Sequence, residues 1–213
     1  MNRHAMAQTF RTRLSLPNIR SLLGALALAC TLPLGACGGA PGEDPPLAGA
    51  SIGGDFTLTG KDGKPVRYAD FNGQYRIVYF GYTFCPDVCP VDMANIAQGL
   101  RLFGRDHPDL AAKVRPIFIT IDPARDTPDV VGRFAANFGP NVVGLTGTQA
   151  QIDSVAKAWA VFHQRREGSS PDAYLMDHSR AAYLMGPQGE AIALLPAEQD
   201  AKAVATDLAR WVR

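Results

Sequence analysis

Arg76 to Tyr82 reads RIVYFGY, a β-branched and aromatic run suited to a strand buried on both faces of its sheet. Such a strand needs cover on each side, so the rest of the chain must supply helices. The pattern from Ser51 onward does this. Asp55 to Thr59 and Val66 to Tyr68 flank the turn signal Lys61-Asp62-Gly63-Lys64 and predict an N-terminal hairpin. Beyond the buried run, Val91, Met93, Ile96, Leu100 and Phe103 recur at helical intervals, and Pro90 is suited to open that helix. Val114 to Ile121 predicts a second buried strand, and Thr127-Pro128 opens a helix over Asp129 to Phe138. A short strand over Asn141 to Leu145 and a helix over Gln149 to Ala160 follow. The strands Ala181 to Met185 and Ala191 to Leu195 enclose the turn Gly186-Pro187-Gln188-Gly189, and a helix over Glu198 to Val212 ends the chain. Strands alternating with helices argue for an α/β fold, a mixed sheet flanked by helices.

The N-terminus is built differently. Arg3, Arg11, Arg13 and Arg20 precede an apolar run from Ser21 to Leu34, with no acidic residue before Cys37. These are the parts of a secretory signal, and the run, interrupted by Pro33, falls short of the ~20 residues a membrane-spanning helix needs. Leu34-Gly35-Ala36-Cys37 resembles a bacterial lipobox, in which the cysteine is acylated; ordinary cleavage nearby, with Cys37 incidental, is the alternative. The expected division is residues 1–36 as signal peptide, 37–50 as a Gly- and Pro-rich flexible tether, and 51–213 as the folded domain. Without residues 1–36 the chain carries 17 Lys and Arg against 20 Asp and Glu. That mildly acidic balance, with no basic stripe, argues against nucleic acid as a partner.

Of four cysteines, Cys30 lies in the apolar run and Cys37 at the lipobox, which leaves Cys85 and Cys89 for the domain. A domain of about 160 residues can bury a sufficient core without a disulfide framework. The small loop between these two would constrain the unfolded chain little, so the pair points to chemistry. Each cysteine precedes a proline, which biases both away from helical backbone and places Cys89 near the N-cap of a helix starting at Pro90. There the helix dipole would favour a thiolate, most directly on Cys89. A CxxxC at the end of a buried strand and the start of a helix is the layout of a thioredoxin-like fold. The spacing alone leaves two chemistries open, a redox disulfide and a shared metal.

Cu(I) is satisfied by two thiolates, whereas Cu(II) prefers an added imidazole. His107 lies in the polar run Arg105-Asp106-His107-Pro108 and reads as a solvated turn residue, and His163, within Val161 to Gln164, reads as a packing residue. His178, in Asp177-His178-Ser179 at the start of the closing hairpin, stands open by position between ligand and structural histidine. Asp87 has a sufficient reason to be present as a turn residue, beside a possible role as oxygen ligand. Asp122, Arg125 and Asp126 suggest a buttressing ion-pair network, and Met176 and Met185 suggest core packing.

Taken together, GYTFCPDVCP (Gly81 to Pro90), TIDPARDTP (Thr120 to Pro128), NVVGLTGT (Asn141 to Thr148) and DHSRAAYLMGPQGE (Asp177 to Glu190) resemble the Sco/SenC family of thioredoxin-like copper proteins associated with cytochrome c oxidase assembly. The resemblance runs from about Gly53 to the C-terminus. It implies Cys85, Cys89 and His178 as ligands of Cu(I) and Cu(II), a metallochaperone role, and oxidase subunit II or another copper client as partner. Anchoring to a membrane is implied too, here through lipid on Cys37 in a periplasm-facing bacterial envelope. An oxidising periplasm would close Cys85 and Cys89 into a disulfide, so a thiol reductant is expected as a further partner. The competing reading is a thiol-disulfide oxidoreductase that reduces the client's cysteines through the same pair. A thiol peroxidase fits less well, because it needs one activated cysteine and no histidine ligand.

Overall fold

The computed structural model describes residues 43–169 and 173–213, so the signal segment with Cys30 and Cys37 lies outside the described residues. In chain order the strands are β1 (Thr57–Gly60), β2 (Pro65–Arg67), β3 (Tyr75–Gly81), β4 (Val114–Thr120), β5 (Val143–Thr146), β6 (His163–Arg166), β7 (Leu175–His178), β8 (Ala182–Met185) and β9 (Ala191–Leu195). The helices are α1 (Val88–Asp106), α2 (Pro108–Ala111), α3 (Pro128–Ala136), α4 (Gln149–Ala158) and α5 (Ala201–Trp211), with a 3-10 turn over Tyr68–Phe71. Seven strands form one sheet in the order β2-β1-β5-β4-β3-β8-β9. Its centre, β5-β4-β3, is parallel, and antiparallel pairs complete both margins. This is the expected thioredoxin-like mixed sheet.

All of β3 is buried, as the RIVYFGY run predicts. Side chains alternate along a strand, so Ile77, Tyr79 and Gly81 face one layer while Val78 and Phe80 face the other. On the first face α3 lays Phe134 on Phe118 of β4, with ring centres 4.7 Å apart, and α1 packs beside α5. On the second, Trp159 at the end of α4 meets Phe80 and Tyr183 at 5.8 and 5.6 Å. Arg76 is the exception within the apolar strand, fully buried near its start. Its guanidinium donates to Gly186 O at 2.6 Å and Asn72 Oδ1 at 2.8 Å and lies over the Tyr68 ring, so a charge in the core ties β3 to the β8–β9 turn.

The outer edge of β9 receives a hydrogen bond from the N-terminal segment, Leu47 N–H to Ile192 O at 2.9 Å, and Glu43 pairs with Arg210. Covering an edge in this way removes a site of unwanted strand pairing. Ile192 adjoins Ala191, which registers through Met185 of β8 with Arg76, so the chain joins the sheet at the end where β3 starts.

Several boundaries differ from the sequence reading. Helix α1 begins at Val88 and not at Pro90, which places Cys89 inside its first turn. Proline's missing N–H costs nothing there, because first-turn amides have no intrahelical acceptor, and that outweighs the pre-proline bias against helix. Helix α3 stops at Ala136, short of Phe138. His178 does not start the closing hairpin: it ends β7, which pairs antiparallel with β6 in a separate two-stranded sheet that sets His163 opposite His178. Ser179 N–H donates to Phe162 O at 3.0 Å and extends that pairing, so β8 starts only at Ala182.

The close crossing of α1 and α5 depends on Gly99. A Cβ built there would lie 2.6 Å from Val204 Cγ1 and 2.8 Å from the backbone oxygen of Ala201. Alanine gains about 1 kcal/mol of helix propensity over glycine, but a clash against backbone cannot be relieved by a rotamer change. Gly99→Ala is therefore expected to destabilise the fold by about 1–3 kcal/mol. The check is a lower urea midpoint at unchanged slope.

Candidate metal centre

Strand β3 ends at Gly81, and the chain turns through Tyr82 to Asp87 before α1 begins. Cys85 Sγ stands in front of that helix and accepts from Cys89 N–H at 3.4 Å, the role an N-cap oxygen ordinarily fills. Asp87 occupies the N-cap position but makes no side-chain cap bond. It is exposed at the turn, and its backbone N–H also points at the Cys85 sulfur.

Cys89 is fully buried, packed down onto β3. A Cβ at Gly81 would meet its sulfur at 2.8 Å, so the missing side chain at Gly81 is what makes room for it. His178 reaches the same point from β7, with Nε2 3.2 Å from Cys89 Sγ. Its Nδ1 lies 2.9 Å from Ser179 O, an atom that can only accept. Nδ1 therefore carries a hydrogen, and Nε2 is the ring nitrogen turned toward the sulfurs. Tyr79 and Tyr82 present their rings edge-on to the imidazole at 6.4 and 6.0 Å and fix its plane. The donor atoms of Cys85, Cys89 and His178 all lie within 4.8 Å of one another. Two sulfurs and one imidazole nitrogen at that separation suit a soft or borderline metal ion.

The two thiols are opposite in character, and the assignment of the acidic one to Cys89 is corrected. The Cys85 thiol is lowered to about 5, first by the hydrogen bond from Cys89 S–H and further by the helix-start amides, against an opposing effect of burial. Cys89 is raised, because its proton is held by Cys85 and because it is buried. The helix start does favour a thiolate, but the sulfur in front of its amides belongs to the cysteine four residues earlier. Cys85 is also the accessible one, opening on a cleft of about 290 Å³ between the cysteine turn and β7.

The loop after β4 braces this arrangement as a network. Asp126, fully buried, accepts from Thr83 N–H, Thr83 Oγ1 and Thr120 Oγ1 at 2.9, 2.6 and 2.6 Å, and so pins the turn before Cys85. Asp122 accepts from Arg125 Nε at 2.6 Å and from Tyr174 OH at 2.8 Å, while Arg125 lies over the Tyr174 ring at 3.5 Å. Through Tyr174 this clamp holds the start of β7. His163 is not among the three converging donors, its Nε2 lying 3.4 Å from Asp153 Oδ1, and His107 is exposed after α1 and packs on Phe103. Met185 is fully buried in the core, while Met176 lines the cleft beside Cys85. The sequence reading missed Gly81, Tyr79 and Tyr82 as walls of the site, and it missed Asp92. The glycine interrupting an aromatic strand just before the cysteines was the available signal for the first.

In reduced protein, Cys85 is expected to react with iodoacetamide at neutral pH and to keep reacting as pH falls toward about 5, below which its thiolate is lost. Cys89 is expected to stay unmodified until the protein unfolds. Peptide mass spectrometry after labelling across pH reads both, and preferential labelling of Cys89 would reverse the assignment.

The family model described as SCO1/SenC matches residues 44–213. The chain is 43% identical over 141 residues to Protein SenC of Rhodobacter capsulatus, covering 66% of this chain and 62% of that protein. It is 39% identical over 152 residues to the mitochondrial SCO2 protein of Saccharomyces cerevisiae, covering 70% of this chain and 49% of that one. The chain spans about half the length of the first curated relatives it matches. Among solved structures, ScoI of Bradyrhizobium japonicum with copper bound superposes with a TM-score of 0.67 at 37% identity, covering 76% of this chain and 99% of that one.

Proposed function

The chain belongs to the SCO1/SenC family, and from that premise we propose that it binds copper through Cys85, Cys89 and His178 and hands it to a client protein. The observation that carries the reading is the convergence of these three donors, from the start of α1 and the end of β7, within 4.8 Å. Copper is cargo here. The two thiolates carry most of the binding of Cu(I), and Cu(II) depends further on the imidazole. Binding takes the proton from Cys89, the thiol that holds it tightly, so loading releases acid and is favoured as pH rises. Cys85, half-buried at the cleft, is the ligand an incoming donor displaces first.

The client we propose is the binuclear copper site of cytochrome c oxidase subunit II or a site like it, met on the periplasmic side of a bacterial envelope. The chain is held there by lipid on Cys37 after removal of residues 1–36, and residues 37–50 link the lipid to the domain at 51–213. A periplasmic thiol reductant keeps Cys85 and Cys89 open for loading.

Copper titration of the reduced domain tests the ligand set. His178→Ala is expected to leave the dithiol able to form its disulfide, to weaken Cu(II) binding by 10-fold or more, on the order of 1.4 kcal/mol, and to remove the sulfur-to-copper absorption band. Unchanged Cu(II) affinity in that variant would sink the three-donor reading.

A second reading is favoured by the unlike thiols. Cys85 thiolate attacks a disulfide of the client, one client sulfur leaves, and a mixed disulfide forms. Cys89, giving up its proton, then attacks Cys85 Sγ and releases the second client sulfur. The client gains two electrons, and Cys85–Cys89 is oxidised to a disulfide. For this activity Cys85→Ser is expected to abolish reduction of a disulfide-bonded client peptide, with His178→Ala retaining it, as read by thiol release. Equal loss in both variants argues against it.

A further inference from the structure

One buried carboxylate beneath the site is used by neither activity. Asp92 lies three residues after Cys89, on the same face of α1, and is fully buried. It accepts from Tyr79 OH at 2.8 Å and takes a two-point contact from Arg180, Nε at 3.1 Å and Nη2 at 2.6 Å. Tyr79 is the β3 residue whose ring stands edge-on to His178, and Arg180 is two residues beyond His178 in the link to β8. A single side chain on the cysteine helix thus holds both a wall of the imidazole pocket and the chain segment that delivers the imidazole.

We propose that Asp92 and Arg180 are positioning residues that set the distance and angle between His178 and the cysteine helix, and thereby the fit of the site to Cu(II) over Cu(I). The small sheet that carries His178 is separate from the main sheet, so its placement depends on ties at its two ends. Arg125 and Tyr174 tie the start of β7, and Arg180 ties the segment just past its end. The fork of a guanidinium on a carboxylate fixes orientation as well as distance, which a lysine cannot do. Arg180 keeps 40% of its side chain exposed but pairs with a fully buried carboxylate, so its loss costs stability as well, and the geometry it imposes acts directly on a ligand. Cu(I), bound chiefly by the two thiolates, depends less on this tie than Cu(II), which needs the imidazole.

The copper arm of the test rests on the proposed function, and the other arm does not. In metal-free, reduced protein, nuclear Overhauser contacts between the His178 ring and the Tyr79 and Tyr82 rings are expected in the parent and lost in Arg180→Ala. On copper titration that variant is expected to lose about tenfold or more in Cu(II) affinity, the range typical of groups that orient a ligand, with a shifted sulfur-to-copper band and a much smaller loss in Cu(I) affinity. Arg180→Lys is expected to fall between the two. Ring contacts and Cu(II) affinity equal to the parent's in Arg180→Ala would overturn the proposal, as would equal weakening of both copper states together with a lowered unfolding temperature. Should Arg180→Ala fail to fold, Arg180→Lys decides, and parity with the parent in both readouts overturns it. A parent that binds no copper yet shows the ring-contact difference leaves the positioning role standing and removes the copper reading.

Discussion

Everything in this domain follows from burying β3 on both faces. A strand with no solvent face needs helical layers above and below, and those layers fix where the chain goes when the strand ends. Because β3 stops at Gly81 with Cys89 seated directly on it, the cysteine helix is placed by the core. The two sulfurs are thus placed by the most constrained part of the fold, while His178 comes to them from the separate small sheet. The loop that joins strand to helix is held by Asp126, whose carboxyl is itself pushed above its ordinary range by burial and is kept in place by three donors.

The unlike thiols are a second outcome of the same placement. One sulfur lies under the helix, out of water; the other stands before the helix start, where amides converge. A pair four positions apart in sequence thus offers one accessible, acidic sulfur and one buried sulfur that keeps its proton. The two proposed activities, copper transfer and thiol exchange, would draw on the same asymmetry and are compatible in one site.

Much of this was legible in the sequence. The buried runs gave β3 and β4 within a residue, and counting cysteines isolated Cys85 and Cys89, because both signals are local. His178 came from resemblance, since nothing in Asp177-His178-Ser179 states what lies across from it. The small sheet was not seen as such: His163-Gln164-Arg165-Arg166 has no apolar alternation, and its pairing with Leu175 to His178 is a tertiary fact. Asp92 reads as an ordinary helix charge until its partner, 88 residues away, is known. The acidity of Cys85 was misassigned for a related reason, as it turns on two residues of helix start that proline had seemed to forbid.

The N-terminal segment joins the sheet beside Ile192, at the end where β3 begins, while the three donors gather beyond the end where it stops. Six steps of strand separate the two ends, about 20 Å of rigid sheet. Residues 43–47 therefore meet the sheet at the pole opposite the three side chains. A macromolecule that approaches Cys85 meets the cysteine turn and the small sheet, at the end of β3 that residues 43–47 leave uncovered.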